Sequence, residues 1–232
     1  MELEPFVFSH EGILVGMREH ASAGEGGDVA SSVNHFALRP LKPEEFVVFT
    51  LDLCHNQVDR HFSRFPEEEL ERINVMVPGR PLMERHDLRG TLPRGTFFRS
   101  DLHHDGERVS VRPDVYVLRT KDNADFILNI EGGVYRETSI GFSFRMPECS
   151  VCQRDLRTCD HVPGRTYGDS QCHYVMRDVI EVIEGSVVPS GSQGTGFVAQ
   201  ERMLPPEKAL DSARRLYHRP AELWSKRFWE EE

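Results

Sequence analysis

The sequence has no long apolar run and comparatively little positive charge. No stretch approaches the roughly 18 consecutive apolar residues that a membrane-spanning helix needs, so we expect no association with a membrane. Lysine and arginine number 28 against 38 aspartate and glutamate residues, which gives a formal net charge of −10 at pH 7. Because nucleic-acid binders usually carry a basic surface that neutralises phosphates, this balance predicts no direct nucleic-acid partner.

Cysteine is too scarce, and too unevenly placed, for a disulfide framework. The chain has 5 cysteines, of which four lie between positions 149 and 172 while Cys54 stands alone. Residues 1–11 are acidic where a signal peptide would be basic, which argues against secretion. In a chain of cytosolic character, clustered cysteines favour metal binding. The motif His-Glu-x-x-His is absent, which argues against a zinc hydrolase.

The pattern that is present predicts an α+β fold with a mostly β, barrel-like core and surrounding helices. Runs of β-branched and aromatic residues predict strands over residues 46–54, 109–118, 134–144 and 179–188. Pro113 interrupts the second of these, which indicates an edge position or a bulge. One helix is expected between Pro66 and Gly79, and another from the cap Asp122 to Ile130.

Composition divides the chain into three parts. Residues 1–44 form an N-terminal segment in which the small residues of 21–32 predict a mobile loop. Residues 45–198 form the main domain and end in SGSQGTG (190–196), which is typical of a flexible linker. Residues 199–232 are expected to be a helical appendage, because 205–230 carries an amphipathic pattern.

Ser139 occupies the exposed face of a predicted strand. In VYRETSIGFSF (134–144), alternation places Thr138, Ile140 and Phe142 on an apolar face and Ser139 on the other face with Gly141. The glycine would leave room for a substrate or another backbone. A partly exposed strand serine is also an ordinary structural feature, and it becomes a nucleophile only beside a base.

Two further segments supply candidates for a base and an acid. His86 lies in PLMERHDLRG, between an apolar run and a polar loop. Its neighbour Asp87 is a poor partner, because adjacent strand residues point to opposite faces. Glu181 and Glu184 interrupt an apolar strand, where a carboxylate must be paired to offset its desolvation. Either could orient the imidazole, and an arginine partner would satisfy either one equally well.

The cysteine cluster predicts an inserted zinc-binding loop over residues 147–174. Five ligand-type residues fall within it: Cys149, Cys152, Cys159, His161 and Cys172. The Cys-x-x-Cys turn supplies a first pair of thiolates, and a second pair would complete a tetrahedron. A thiolate-rich set suits a structural Zn²⁺ rather than a catalytic one. Which of the last three candidates bind stays open, and a redox pair or free thiols are the alternatives.

Three segments, taken in order, resemble the prohead protease family of tailed bacteriophages. They are PGRPLMERHD, then DNADFILNIEGGVYRETSIGFSF with its Ser-x-Gly-Phe, then VIEGSVVPSGSQ. Together with the approach to the histidine segment they span residues 46–198. The resemblance implies the β-barrel shared with herpesvirus assembly proteases. It also implies Ser139 as nucleophile, His86 as base and Glu184 as the acid, although Gly185 stands where the family commonly has a β-branched residue.

The resemblance further implies a serine endopeptidase that cleaves scaffold or capsid-protein extensions during procapsid maturation, and also itself. Its substrates would be the major capsid protein or the scaffold, and it would act in the host cytoplasm inside the procapsid. Whether it forms a homo-oligomer is open. The alternative is a non-catalytic assembly protein with the same fold and zinc loop. A zinc-ribbon nucleic-acid module fits the acidic balance poorly.

Overall fold

The computed structural model describes residues 29–198, and the predictions made for residues 1–28 and 199–232 lie outside the described residues. Ten strands and three α-helices make up the described part. The helices are α1 (Val29–Asn34), α2 (Glu67–Met76) and α3 (Ala124–Glu131). The strands are β1 (Phe46–Thr50), β2 (Cys54–His55), β3 (Ser63–Arg64), β4 (Pro81–Glu84), β5 (Gly95–Asp105), β6 (Arg108–Leu118), β7 (Glu137–Cys149), β8 (Thr166–Tyr167), β9 (Ser170–Gln171) and β10 (Tyr174–Val188).

Eight of these strands form one sheet, and β8 and β9 form a separate two-stranded sheet. The order is β1-β6-β5-β4-β10-β3, with β2 also paired to β6 and β7 also paired to β10. Strands β3 and β4 run parallel to β10, whereas the other pairs are antiparallel. The general α+β class is therefore as predicted.

The expected barrel is not closed. Strand β7 pairs with β10 along its length, and only two isolated bridges connect the far ends of the sheet through residues 196–197. These bridges join Glu137 to Gly196 and Leu51 to Phe197. A closed barrel needs continuous pairing all round, so the sheet is open in the described part of the chain.

The main core lies between the sheet and helices α2 and α3. Its fully buried members include Leu53, Phe65, Ile73, Phe97 and Val182. Helix α2 starts after Pro66, as expected, and packs against β5, β6 and β10. Its buried Glu69 accepts hydrogen bonds from the backbone N–H groups of Asp178 and Val179, both at 3.0 Å. This carboxylate holds β10 where the positive φ of Asp178 interrupts the strand.

Two local predictions need correction. Strand β6 lies inside the sheet rather than at an edge. Pro113 is tolerated there because it falls beyond the last β1 pair, Thr50–Asp114, and before the β2 pairs begin. A register shift in the adjoining β5 fits the alternative of a bulge. Asp122 is not the N-cap of α3: it lies in a short 3-10 helix, Lys121–Asn123, whose cap Thr120 accepts from the Asn123 backbone, and Asn123 itself precedes α3.

Two segments expected to be mobile are instead packed. Helix α1 covers part of the small-residue stretch 21–32, because Val33 is fully buried in a second small core with Phe46 and Phe98. Residues 190–196 are bound to the sheet rather than free: the Thr195 hydroxyl donates to Thr138 O at 2.9 Å, and the Gln193 amide bonds to the His55 backbone. Within residues 29–198, no helix has the length and apolarity to cross a membrane.

Candidate functional site

The β7–β10 hairpin brings the predicted nucleophile strand and acidic strand side by side. Ser186 lies opposite Ser139, and Glu184 lies opposite Gly141. Residues directly opposite on antiparallel strands share a face and hold their Cβ atoms about 5 Å apart. The four residues therefore occupy one face of the hairpin. Thr138 and Ile140 lie on the other face, which packs against the core as alternation predicts.

His86 reaches this face from the neighbouring strand. Strand β4 runs parallel to β10, and His86 follows it after two residues. Its Nδ1 lies 2.5 Å from Glu184 Oε1, and the side chains are 40% and 2% exposed respectively. An ionised carboxylate only accepts hydrogen bonds, so Nδ1 carries the proton and Nε2 is left with its lone pair. Glu184 thus fixes the Nδ1 side of the imidazole, and Nε2 can accept a hydrogen bond.

A strained turn presents His86. Arg85 and His86 have φ values of 55° and 57°, and the Asp87 backbone N–H donates to Glu84 O at 3.0 Å. Two successive positive φ values at the centre of a four-residue turn are typical of type I′, which favours Asn-Gly. Side chains other than glycine rarely adopt this conformation, and such strain concentrates at functional sites.

Gly141 has a different role from the one expected. A Cβ built on Gly141 would clash with Glu184 Oε1, so the glycine makes room for the carboxylate and not for a substrate. Gly185 is also a matter of space: a Cβ there would lie 2.6 Å from the Phe97 ring. The Phe97 ring therefore occupies the space that a side chain at position 185 would need.

Ser139 is partly exposed and borders a cleft of about 220 Å³. Its lining includes Phe65, Ile140 and Phe142, which pack with the core, and the polar residues Asp59 and Gln193, but neither His86 nor Glu184. No hydrogen bond joins the Ser139 hydroxyl to the His86 ring among residues 29–198. A nucleophile and its base often lack this hydrogen bond before substrate binds.

The remaining carboxylates near His86 have other partners. Glu181 lies opposite Ser143 and receives a hydrogen bond from its hydroxyl at 3.4 Å, so Glu184 and not Glu181 contacts the imidazole. Asp87 accepts from the backbone N–H groups of Arg89 and Gly90, at 3.1 and 2.7 Å, and thereby caps its own loop.

A second cluster lies in the insertion between β7 and β10. Cys149, Cys152, Cys159 and His161 each offer a ligand atom, and these atoms all lie within 4.8 Å of one another. The four could hold a metal ion. A tetrahedral zinc site with bonds near 2.3 Å has sulfur atoms about 3.8 Å apart, so a small contraction would close this set around one ion. His161 Nδ1 supports this, because it is buried without a hydrogen-bond partner.

The other two cysteines lie outside this group of four. Cys172 Sγ is 3.9 Å from Cys149 Sγ, and burial raises the pKa of the Cys172 thiol to about 11. Cys54 lies in the main core, where burial raises its pKa well above the ordinary value. In contrast, the backbone N–H of Arg154, with its guanidinium, lowers the pKa of Cys152 to about 6.

Comparisons with protein-family models, with curated proteins and with solved structures find no match for this chain. The resemblance to prohead proteases therefore stays a prediction based on three ordered segments.

Sequence reasoning missed one residue of the site. Ser186 is fully buried, and its hydroxyl bonds to both Glu184 and the backbone of His86. The spacing Glu184-x-Ser186, which puts both side chains on one strand face, was the available signal.

Proposed function

We propose that the chain is a serine endopeptidase of the prohead protease kind, with Ser139 as nucleophile, His86 as base and Glu184 as the acid. The observation that carries the proposal is the 2.5 Å contact between His86 Nδ1 and Glu184 Oε1, on the hairpin face that Ser139 shares. A buried carboxylate that orients a half-exposed imidazole, with a serine on the same face of the hairpin, supports this assignment of nucleophile, base and acid.

The proton movements follow from this arrangement. Glu184 holds the Nδ1–H tautomer, so Nε2 can take the Ser139 proton as Oγ bonds to the peptide carbonyl carbon. The imidazolium then returns that proton to the leaving amine as the C–N bond breaks, and Glu184 stabilises the transient positive charge. Water repeats the sequence on the acyl-enzyme and regenerates the serine hydroxyl.

A peptide substrate would have to bind on the face of the hairpin that Ser139 shares with Glu184, where His86 also lies. By the resemblance, the substrates are capsid or scaffold extensions, cleaved inside the procapsid in the host cytoplasm. Self-cleavage within residues 190–196 would require this segment to leave the sheet, because its side chains are bonded there.

We also propose that the group of four ligand residues holds a structural Zn²⁺. Three thiolates and one imidazole form a closed, four-ligand set, as in structural zinc sites. Cys149 ends β7 and the insertion leads directly into β10, so the ion would close the loop of the hairpin that carries Ser139 and Glu184. It would take no part in the acyl transfer.

Covalent labelling tests the proposed nucleophile without knowledge of the substrate. A fluorophosphonate reacts when the serine oxygen bonds to phosphorus, fluoride leaves and the base takes the hydroxyl proton. We expect the wild-type chain to be labelled at Ser139, as read by peptide mass spectrometry. Ser139→Ala should abolish labelling at this position, and His86→Ala should reduce it by about 10⁴-fold. Ser143→Ala, which removes a buried serine of the same strand, should label normally.

Labelling at another serine, or none with a folded wild-type chain, would contradict the protease and favour the non-catalytic assembly protein. The same variants should then be incubated with a capsid precursor under assembly conditions. Cleavage by the wild type and not by Ser139→Ala is the expected result. Equal binding of the precursor by both, without cleavage by either, is the result expected of a scaffold.

A further inference from the structure

Ser186 connects the two groups that orient the imidazole. Its hydroxyl donates to Glu184 Oε2 at 2.6 Å and accepts from the His86 backbone N–H at 3.0 Å. The residue is fully buried, and it lies directly opposite Ser139 in the hairpin. A residue without exposed surface cannot meet a substrate, and its proton is already donated to Glu184. Ser186 is therefore not a second nucleophile.

We propose that Ser186 is a positioning residue for the Glu184–His86 pair, an inference that rests on the proposed protease function. A serine hydroxyl has one proton and two lone pairs. Here the proton goes to one carboxylate oxygen, and a lone pair receives the backbone N–H of the residue that carries the base. One small side chain thus fixes the acid and the base relative to each other.

The hydrogen bond from Ser186 to Oε2 gives the two oxygens of Glu184 different partners. Glu184 is buried, and a buried carboxylate must have its lone pairs satisfied. Because Ser186 occupies Oε2, Oε1 is the oxygen left to receive the imidazole N–H. Without the hydroxyl, both oxygens would compete for one donor, and the imidazole would lose its single orientation.

The second hydrogen bond holds the strained turn. The Arg85 N–H donates to Val187 O and continues the pairing of β4 with β10. The positive φ of His86 then turns the next N–H out of that ladder, and the Ser186 hydroxyl receives it. The hydroxyl thus replaces the backbone partner that the turn removes, which stabilises the conformation in which the imidazole meets Glu184.

Arg85 and Asp87 flank His86 in the turn, but no charged side chain of the adjoining strands β4 and β7 is bonded to the pair in residues 29–198. The β7 positions opposite Glu184 and Ser186 are Gly141 and Ser139, which do not titrate at working pH. On the other side, β4 contributes Glu84, which is paired with Arg94 at 2.5 Å. His86 is thus the titratable group bonded to Glu184 among residues 29–198. Removal of the Ser186 hydroxyl should accordingly alter the protonation of the Glu184–His86 pair.

The test is the pH dependence of fluorophosphonate labelling at Ser139. Ser186→Ala should slow labelling by about 10- to 100-fold, the usual effect of removing an outer hydrogen bond that orients a functional group. It should also move the acidic limb of the rate profile to higher pH. The sign follows because a carboxylate with one donor fewer attracts a proton more strongly, so the pair takes up its proton at higher pH.

Ser143→Ala is the matched control. Ser143 is also buried and also donates to a glutamate of β10, but that glutamate is Glu181, which does not contact His86. Ser143→Ala should keep the wild-type rate and profile, whereas a purely structural loss at Ser186 would lower labelling evenly across pH. Thermal melts of both variants give their relative stabilities, so the displaced acidic limb is judged separately from any unfolding.

Two further variants cover the case in which Ser186→Ala does not fold. Ser186→Thr keeps the hydroxyl, and it should retain the wild-type acidic limb. Ser186→Cys keeps the approximate volume with a much weaker donor, and its limb should move to higher pH.

The inference is overturned if Ser186→Ala or Ser186→Cys is labelled at Ser139 with the wild-type rate and profile. It is also overturned if the rate falls without movement of the limb. Failure of the protease proposal looks different, because the wild-type chain itself would then not be labelled at Ser139.

Discussion

At the scale of single residues, the site depends on which positions carry no side chain. Gly141 admits the Glu184 carboxylate across the hairpin, and Gly185 admits the Phe97 ring from the core. Gly141 and Gly185 leave this space on opposite faces of the β7–β10 pair. The space at Gly141 lets the Glu184 carboxylate lie against β7, and the space at Gly185 lets β10 pack against the core. A methyl group at either position would displace a different neighbour.

Gly141→Ala should therefore damage the site more than the fold. The added methyl overlaps Glu184 Oε1, and overpacking of this kind costs about 1–3 kcal/mol. We expect labelling of Ser139 to fall at least tenfold, because the carboxylate must leave the His86 ring. Chemical denaturation measures the stability loss, and the labelling rate measures the damage to the site.

A double-mutant cycle supplies the control for this prediction. In a Glu184→Ala background the obstructing carboxylate is gone, so Gly141→Ala should cost clearly less stability than it does in the wild type. Equal costs in the two backgrounds would show that the glycine is required for another reason.

At the scale of elements, the turn after β4 is the least relaxed part of the site. It holds two successive residues with positive φ, and the first of them, Arg85, is exposed. The conformation persists because both ends of the turn are fixed, by the Arg85 N–H on Val187 O and by the His86 N–H on Ser186. The position of the base is thus set by the sheet and not by the turn's own preference.

Arg85→Gly should stabilise the protein. Glycine adopts positive φ without a Cβ penalty of about 1–2 kcal/mol, although its greater freedom in the unfolded chain offsets part of the gain. A net rise of about 0.5–1 kcal/mol would raise Tm by a few degrees in a domain of this size. Arg89→Gly is the control, since Arg89 is exposed in the same loop without a positive φ. It should lower Tm or leave it unchanged.

The elements that the sequence predicted well are those whose pattern is local. Helix α2 and strand β6 follow from proline placement and from alternation within a dozen residues. Strand β10 begins five residues earlier than alternation indicated, at Tyr174 rather than Val179. Asp178 breaks the alternation with a positive φ, and that conformation is held by Glu69 of α2, more than a hundred positions away.

In the candidate site, too, the sequence indicated the residues that belong to short motifs and missed those whose role depends on contacts far apart in the chain. The ordered motifs selected Glu184 and His86, but Ser186 was missed because its role depends on the pairing of β4 with β10 across 100 positions. The packing of residues 190–196 was likewise missed. Their small, polar composition is typical of linkers, whereas their order comes from contacts with His55 and Thr138 elsewhere in the fold.

At the scale of the whole described domain, the two ends of the β7–β10 hairpin are held in different ways. The end with Ser139 and Glu184 is also paired to β4, at Gly185–Val187. The other end has two pairs with β3 and leads into the insertion with the cysteine cluster. Residues 150–173 contain few apolar side chains. We therefore expect the proposed Zn²⁺ to supply a large part of their stability.

Zinc content tests the ligand set before any effect on the fold is considered. One Zn²⁺ per chain is expected by native mass spectrometry. Cys159→Ser should lose it, because Cys159 belongs to the group of four. Cys172→Ser should keep it, although its sulfur lies 3.9 Å from Cys149. Loss of zinc in Cys172→Ser but not in Cys159→Ser would place Cys172 in the set and leave Cys159 as the surplus candidate.

Removal of the metal should then loosen one end of the molecule and spare the other. With a chelator, we expect faster amide hydrogen exchange over residues 150–173 and at the adjoining ends of β7 and β10, and a lower Tm. Exchange around Ser139 and Gly185 should stay slow, since β4 and the core hold that end. Fluorophosphonate labelling should persist at temperatures where the sheet is intact. If labelling instead disappears while exchange near Ser139 is unchanged, the ion acts in the reaction and the structural assignment is wrong.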